Sequence, residues 1–278
     1  MTRGPDVIES LDGLKDRADW VRKETLKLHK LAPETRLASS LSDVEIFVAL
    51  YYAGILKYDP RNVRAEDRDR FFISKGHGAI SLYPILAERG FFDQNELQRI
   101  GSEDSFLGVI PDARVPGFET INGALGHGLG VACGSALALK RKGSGATVFV
   151  LSGDGELNAG AVWEAVMFAA YHKLDNLILI VDNNEKSMLG YQRDILGLEP
   201  LEEKFKTFGW KAEAVDGHDI EQLCTTLSHL KRDDGDRPKV LIANTQKGKG
   251  VRSLENDPLC HVRMLKPQEI DRILKEWQ

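Results

Sequence analysis

The chain reads as an α/β protein built on a parallel sheet with helices on both faces. Three observations predict this. Near-continuous apolar and β-branched runs, such as Ala146–Leu151 and the start of "LILIVDNNE", suit strands buried on both sides. Stretches of helical period separate those runs. The length of 278 residues, 42 % of them hydrophobic, is ample for one large core.

The elements follow in order. Residues 6–31 predict a charged amphipathic helix, with Val7, Leu11, Leu14, Val21, Leu28 and Leu31 at roughly helical intervals. In "SLSDVEIFVALYYAGIL", Ser42 and Glu45 have capping-box spacing, and Val44, Phe47, Val48, Tyr51 and Ile55 form one face. "DRFFISKGHG" reads as a short strand ending at Lys75-Gly76-His77, ahead of the helix "AISLYPILAERG". Residues 101–122 carry glycines and prolines without a period and read as a long loop, which in a compact domain is more often functional than idle. Then come a small-residue helix in "GALGHGLGVACGSALALKRK", the strand "ATVFVLSGDG", the helix "NAGAVWEAVMFAAYHK" and the strand "NLILIVDNNE". A loop and helix over 187–208 lead to the strand "WKAEAVDG", the helix "IEQLCTTLSHLKR" and the strand "KVLIANTQKGKG". No repeat, low-complexity tract or Pro/Ser-rich linker interrupts this pattern. A single domain over 1–278 is expected, with residues 1–40 as a helical N-terminal extension.

Composition narrows the function classes. A formal net charge of −5 without a long basic run gives no footprint for nucleic acid. No apolar stretch reaches membrane-spanning length, and the first residues lack an apolar signal core, so a cytoplasmic protein is expected. Cys133, Cys224 and Cys260 lie far apart without a CxxC pair, which fits a reducing compartment. Cys133 and Cys224 read as small core residues.

In sheets of this kind ligands bind beyond the carboxyl ends of the strands. His77, the Gly153-Asp154-Gly155 turn, the Asp182-Asn183-Asn184 end and the Gly248/Gly250 turn fall there. Asp154 offers a carboxylate and Asn184 an amide oxygen. One carboxylate plus neutral oxygens is a poor cage for a bare divalent ion, but a reasonable half-site for Mg²⁺ that brings phosphate oxygens and water. The flanking glycines let backbone approach a phosphate closely. Singly, each stretch also fits an ordinary turn; together they point to a Mg²⁺–diphosphate site.

"GDGELNAGAVWEAVMFAAYHKLDNLILIVDNN" closely resembles the thiamine-diphosphate motif, which opens with GDG and closes with NN about thirty residues on. The version is similar to that of the transketolase family. "DRFFISKGHGAISLYPILAERGFF", "VPGFETINGALGHGLGVACGSALALK" and "TQKGKGVRSLEN" extend the resemblance over nearly the whole chain. It implies the diphosphate-binding domain of the thiamine-diphosphate fold, in the N-terminal subunit of a split transketolase. It further implies Asp154, Asn184 and the Lys186 carbonyl as Mg²⁺ ligands, with Gly153, Gly155 and His77 against the diphosphate. Gly123 and Leu125 would present backbone to the aminopyrimidine. His261 would lie near diphosphate and substrate with Lys247 beside it, and His77 and His261 would be the catalytic histidines. Glu164 matches a glutamate of a proton network between subunits. The implied activity is that of a transferase of carbohydrate metabolism, carrying a two-carbon ketol unit from a ketose donor to an aldose acceptor. The implied partner is a second chain with the pyrimidine-binding domain, in an α2β2 heterotetramer, and this chain alone would be inactive.

The sequence departs from the family at the donor. "TRLASS" places Arg36, and "GVIPD" places Ile110, where the family has histidines that contact the sugar; His127 stands where glutamine is common. Ile110 removes a hydrogen-bond partner, and Arg36 can hold a carboxylate or phosphate with two parallel bonds. The alternative reading is a thiamine-dependent subunit with an altered donor, a 2-oxo acid or an unusual sugar, in a specialised biosynthetic pathway.

Overall fold

The computed structural model describes residues 8–277. Five parallel strands form the main sheet: β1 (Arg70–Ile73), β2 (Val148–Gly153), β3 (Leu177–Asn183), β6 (Lys211–Asp216) and β7 (Lys239–Asn244), in the order β1-β2-β3-β7-β6. β4 (Lys186–Ser187) and β5 (Gly190–Tyr191) form a small antiparallel hairpin where the sequence predicts only a loop. Alternation along each strand sends side chains to opposite faces. Phe71, Phe149, Leu151, Ile178, Ile180 and Leu241 pack on one side, with the helices Leu11–Leu31, Val44–Tyr52 and Ile220–Arg232. Phe72, Val148, Val150, Leu179, Val181 and Val240 pack on the other, with the helices Gly128–Arg141, Gly160–Tyr171 and Leu201–Thr207. The parallel sheet with both faces covered is thus present. In β6, at the edge, only Ala212 is buried, as the looser packing of an edge strand allows.

Several boundaries differ from the sequence reading. The first helix begins at Leu11, where the Ser10 hydroxyl accepts from the Gly13 N–H at 3.2 Å; Val7 lies outside the described residues. Leu14, Val21 and Leu28 of this helix enter the same buried cluster as the strands. The capping box at Ser42 is absent. A short helix, Leu37–Ser42, runs directly into the next one, and the Ser42 hydroxyl donates instead to Asp182 at 2.8 Å. Glu45 pairs with Arg22 and with His218 rather than with a helix end. Every residue of Val44–Tyr52 is buried, so its apolar face is not one stripe but the whole circumference. The small-residue helix starts at Gly128, leaving Gly123 and Leu125 in the preceding loop.

A third buried cluster joins Leu26, Leu37, Ala38 and Leu41 to Val251, Leu254, Cys260, Leu265 and Ile270, folding the C-terminal segment back onto the helix 37–42. The hinge of this contact is His29. Its Nε2 accepts from the Leu265 N–H at 3.4 Å, so Nδ1 carries the proton and donates to Thr35 Oγ1 at 2.7 Å. Burial lowers its pKa from 6.5 to about 4. The unfolded chain therefore binds more protons between those values, and the stability His29 contributes is full above about pH 6.5 and lost as the pH falls toward 4. Thermal unfolding across that window should be less pH-dependent in His29→Gln than in the parent; equal slopes would refute this role.

Candidate functional site

Parallel pairing sets the strand ends level. Ile73 lies beside Leu151, Gly153 beside Asp182, and Asn183 beside Asn244. The chain leaves each of these strands over one rim. The turns after β1, β2, β3 and β7 consequently surround a cavity of about 420 Å³, lined among others by His77, Asp154, Asn184, Lys247 and His261.

Asp154 is 6 % exposed and tied to the β3 end, for its Oδ2 accepts from the Glu185 N–H at 2.6 Å and its Oδ1 from the Gly155 N–H at 2.7 Å. The Asn184 Nδ2 donates to Asp182 at 2.6 Å, which fixes the orientation of the carboxamide and leaves Oδ1 for other donors. Lys247 Nζ donates to the Lys186 carbonyl at 2.6 Å and lies 3.4 Å from Asn184 Oδ1. One ammonium reaching both oxygens places them around a common, cation-sized focus. Burial, then the Asp182 charge, raises the Asp154 pKa to about 6. This carboxylate is short of positive charge. No group of three His, Cys, Asp or Glu gathers as a metal cage among the described residues. One carboxylate, one amide oxygen and one carbonyl fit a hard cation that keeps water and ligand oxygens.

Beneath lies a buried ionic cluster. Lys75 Nζ pairs with Asp43 at 2.9 Å and with Asp182. Burial disfavours the Asp182 charge, yet Lys75 and then the Thr245 and Ser42 hydroxyls bring its pKa down to about 2. Burial instead pushes Asp43 well above the usual carboxylate range, against the pull of Lys75. Asp182 is thus the ionised partner that holds Lys75 and, through Asn184 Nδ2, aims the amide oxygen.

Glu156 ties the turn after β2 to the loop that ends in the helix 128–141. It accepts from the Gly126 N–H at 2.7 Å, from Ser152 Oγ at 2.8 Å and from Ser74 Oγ. Gly128 comes so close to Ser74 that an added Cβ would sit 2.3 Å from its hydroxyl. Gly123 and Leu125, carried by this loop, both line the cavity.

His77 and His261 face each other with ring centroids 5.0 Å apart. Burial, then the Lys75 charge, lowers His77 to about 2. Burial, then Lys247, lowers His261 to about 3, with Arg36 contributing at both rings. Both imidazoles are neutral near pH 7. Ser39 Oγ lies 3.4 Å from His261 Nδ1, so the helix 37–42 that Arg36 precedes borders the histidine pair. Ile110, 44 % exposed, places its γ2 methyl 3.4 Å from where a Gly76 Cβ would stand and 3.9 Å from the same point on Gly123. Arg36 and Ile110 thus stand beside residues of the cavity wall without lining the cavity themselves.

All the residues singled out for cofactor and metal meet here. Lys247, for which the sequence alone also allows a solvated turn charge, is 3 % exposed. Glu164 lies on the surface, away from this cluster. Sequence reasoning missed Glu156, Asp43 and the part played by Lys75. An acidic residue directly after GDG, and a lysine ending a buried strand, were the available signals. A larger cavity of about 510 Å³ is lined by Lys249 and by Arg22 and Glu45, which pair with each other.

Residues 38–278 match the family described as transketolase, thiamine diphosphate binding domain. An apulose-4-phosphate transketolase subunit of Actinobacillus succinogenes is 39 % identical over 269 residues, 96 % of each chain. The 6-deoxy-6-sulfo-D-fructose transketolase subunit SqwG of a Clostridium species is 36 % identical over 249 residues, 89 % of this chain and 90 % of that one. Among solved structures, transketolase from Campylobacter jejuni superposes with a TM-score of 0.88 at 29 % identity, over 95 % of this chain and 42 % of that one. The chain spans less than half of that longer enzyme. It belongs to the transketolase family of transferases, and corresponds to the N-terminal, thiamine-diphosphate-binding subunit of the split form.

Proposed function

We propose that this chain, with Mg²⁺ and thiamine diphosphate, carries the cofactor half of a two-component transketolase that moves a two-carbon ketol unit from a ketose to an aldose. The observation that carries the reading is the convergence of Asp154, Asn184 and the Lys186 carbonyl at the ends of adjacent strands, inside a cavity that also holds His77, His261 and Lys247. When bound, the cofactor would supply a nucleophilic carbon at its thiazolium C2.

The chain's own residues bind and orient. Asp154, Asn184 and Lys186 hold the ion, and Gly153 and Gly155 leave room for the diphosphate against backbone. Lys247 and Lys75 place positive charge where that anion lies. Gly123 and Leu125 offer the loop anchored by Glu156 to the aminopyrimidine. His77 and His261 act in the neutral form, donating or accepting one proton at a substrate oxygen. The bound anion opposes the cations that depress them, and so brings their pKa values closer to the working range.

The partner is a chain bearing the pyrimidine-binding domain, in a cytoplasmic α2β2 assembly. Support comes from relatives named as subunits that match over most of both chains. Exposed apolar residues around the cavity mouth, including Leu125, Met188, Leu189 and Ile195, fit a covering partner. A second reading, an altered donor, has its own support: the Ile110 methyl stands near Gly76 and Gly123 where the family resemblance implies a histidine, and Arg36 adds a cation beside two neutral histidines. Two similar subunits named for different uncommon sugars agree with donor recognition that varies within the split group.

Turnover assays with purified chain, partner, Mg²⁺ and thiamine diphosphate test both readings against ketose phosphates, sulfonated ketoses and 2-oxo acids. Activity is expected only with the partner present; turnover by this chain alone would overturn the two-component proposal. If donor recognition is altered, Arg36→His with Ile110→His should raise kcat/KM on common ketose phosphates about tenfold, the worth of one hydrogen bond. No gain would leave the altered-donor reading without support.

A further inference from the structure

Gln192 opens the short helix Gln192–Leu196 that follows the β4–β5 hairpin. It is 8 % exposed, and its backbone N–H is fixed on the Glu185 carbonyl at 2.9 Å. Its carboxamide lies over the turn after β2, with Nε2 3.4 Å and Cδ 3.8 Å from where a Cβ on Gly155 would stand. Together with Asp154 it lines both the 420 Å³ cavity and a neighbouring one of about 260 Å³, so it forms part of the wall between them.

The Oε1 of Gln192 is buried and has no hydrogen-bond partner. A buried, unpaired amide oxygen is costly, and such orphans mark places where something outside the chain completes the bond. Among the described residues no protein group donates to it. The Asp154 carboxylate is an acceptor, and the Gly155 and Glu185 amides already donate to it. What is missing is a donor, and Gln192 shares the lining of both cavities with Asp154. A six-coordinate magnesium ion held by three protein oxygens and the diphosphate would keep one or two waters, whose O–H groups an amide oxygen can accept. The other edge of the same amide, Nε2, can donate to a phosphate oxygen lying along Gly155.

We propose that Gln192 is a contact residue for the hydrated metal–diphosphate headgroup, closing it from the hairpin side. This inference rests on the cofactor reading above and deepens it. It assigns a recognition role to a segment of the chain that the GDG and NN stretches do not include.

Calorimetric titration of the full chain tests it, with thiamine diphosphate plus Mg²⁺ and, separately, inorganic pyrophosphate plus Mg²⁺. Gln192→Leu is expected to weaken both by roughly tenfold to a hundredfold, the range for a hydrogen bond to a charged group. The same variant should unfold, without ligand, at the parent's temperature or higher, because an unpaired amide gives way to an apolar group of similar shape. Gln192→Met, unbranched like the original side chain, serves as the second variant and should behave alike. Parent-like affinity in either variant overturns the proposal, and so does a lowered unfolding temperature in both, which would make the amide structural. If the parent itself shows no Mg²⁺-dependent binding, the cofactor reading fails, and that result is distinct from parent binding with unaffected variants.

Discussion

Lys75→Met is expected to destabilise the chain by roughly 3–5 kcal/mol, the cost of removing one partner from a buried ion pair. Lys75 is 2 % exposed, and Asp43 and Asp182 are fully buried on either side of it. Without the ammonium, two carboxylates would share an interior with no cation bonded to either. For a domain of this size such a loss lowers the unfolding temperature by about 5–9 °C. A second change should restore much of it: Asp43→Ala in the Lys75→Met background removes one of the stranded acids, so the pair should be far less than additive. Additive losses would mean that the three groups do not act as a unit. Because Asp182 aims Asn184, the single variant should also weaken cofactor binding even where it remains folded.

Asp154→Asn should separate stability from function. In the absence of a cation the carboxylate is held by burial and by Asp182 at a pKa of about 6, above its ordinary value of 3.8. An acid whose folded pKa is raised loses stability when it ionises, so at pH 7 the charge at Asp154 opposes folding. The amide keeps the shape and can still accept from the Glu185 N–H, while its NH₂ gives up the Gly155 bond. Removing the adverse charge offsets that lost bond, so unfolding of the ligand-free variant is expected close to the parent's temperature. Binding of thiamine diphosphate in the presence of Mg²⁺ should fall on the order of a hundredfold or more, since the site's one ligating charge is gone. A variant that binds like the parent would show that the ion is not held here.

The fold was legible where one physical signal dominates. Runs such as Val148–Leu151 and Leu177–Val181 have no polar position at all, which only a sheet covered on both faces accommodates, and the strands stand where those runs fall. The Asp154 and Asn184 ends were legible because oxygen ligands and glycines follow directly on such strands. What stayed hidden depends on pairing across the chain. Ser42 has the spacing of a cap, but it is 140 residues from the acid it bonds. Glu156 acts on Gly126 and Ser74, and no local pattern announces either contact. The 186–191 hairpin is two residues per strand, too short for any period to register.

Whether Asp154, Asn184 and Lys186 hold a divalent ion against the cofactor's diphosphate decides the rest. Anomalous diffraction from crystals of the chain grown with thiamine diphosphate and Mn²⁺ measures this most directly. A peak about 2.1 Å from an Asp154 carboxylate oxygen, Asn184 Oδ1 and the Lys186 carbonyl is the expected result. Cofactor bound with the peak absent from that position, or centred on other residues, would contradict it.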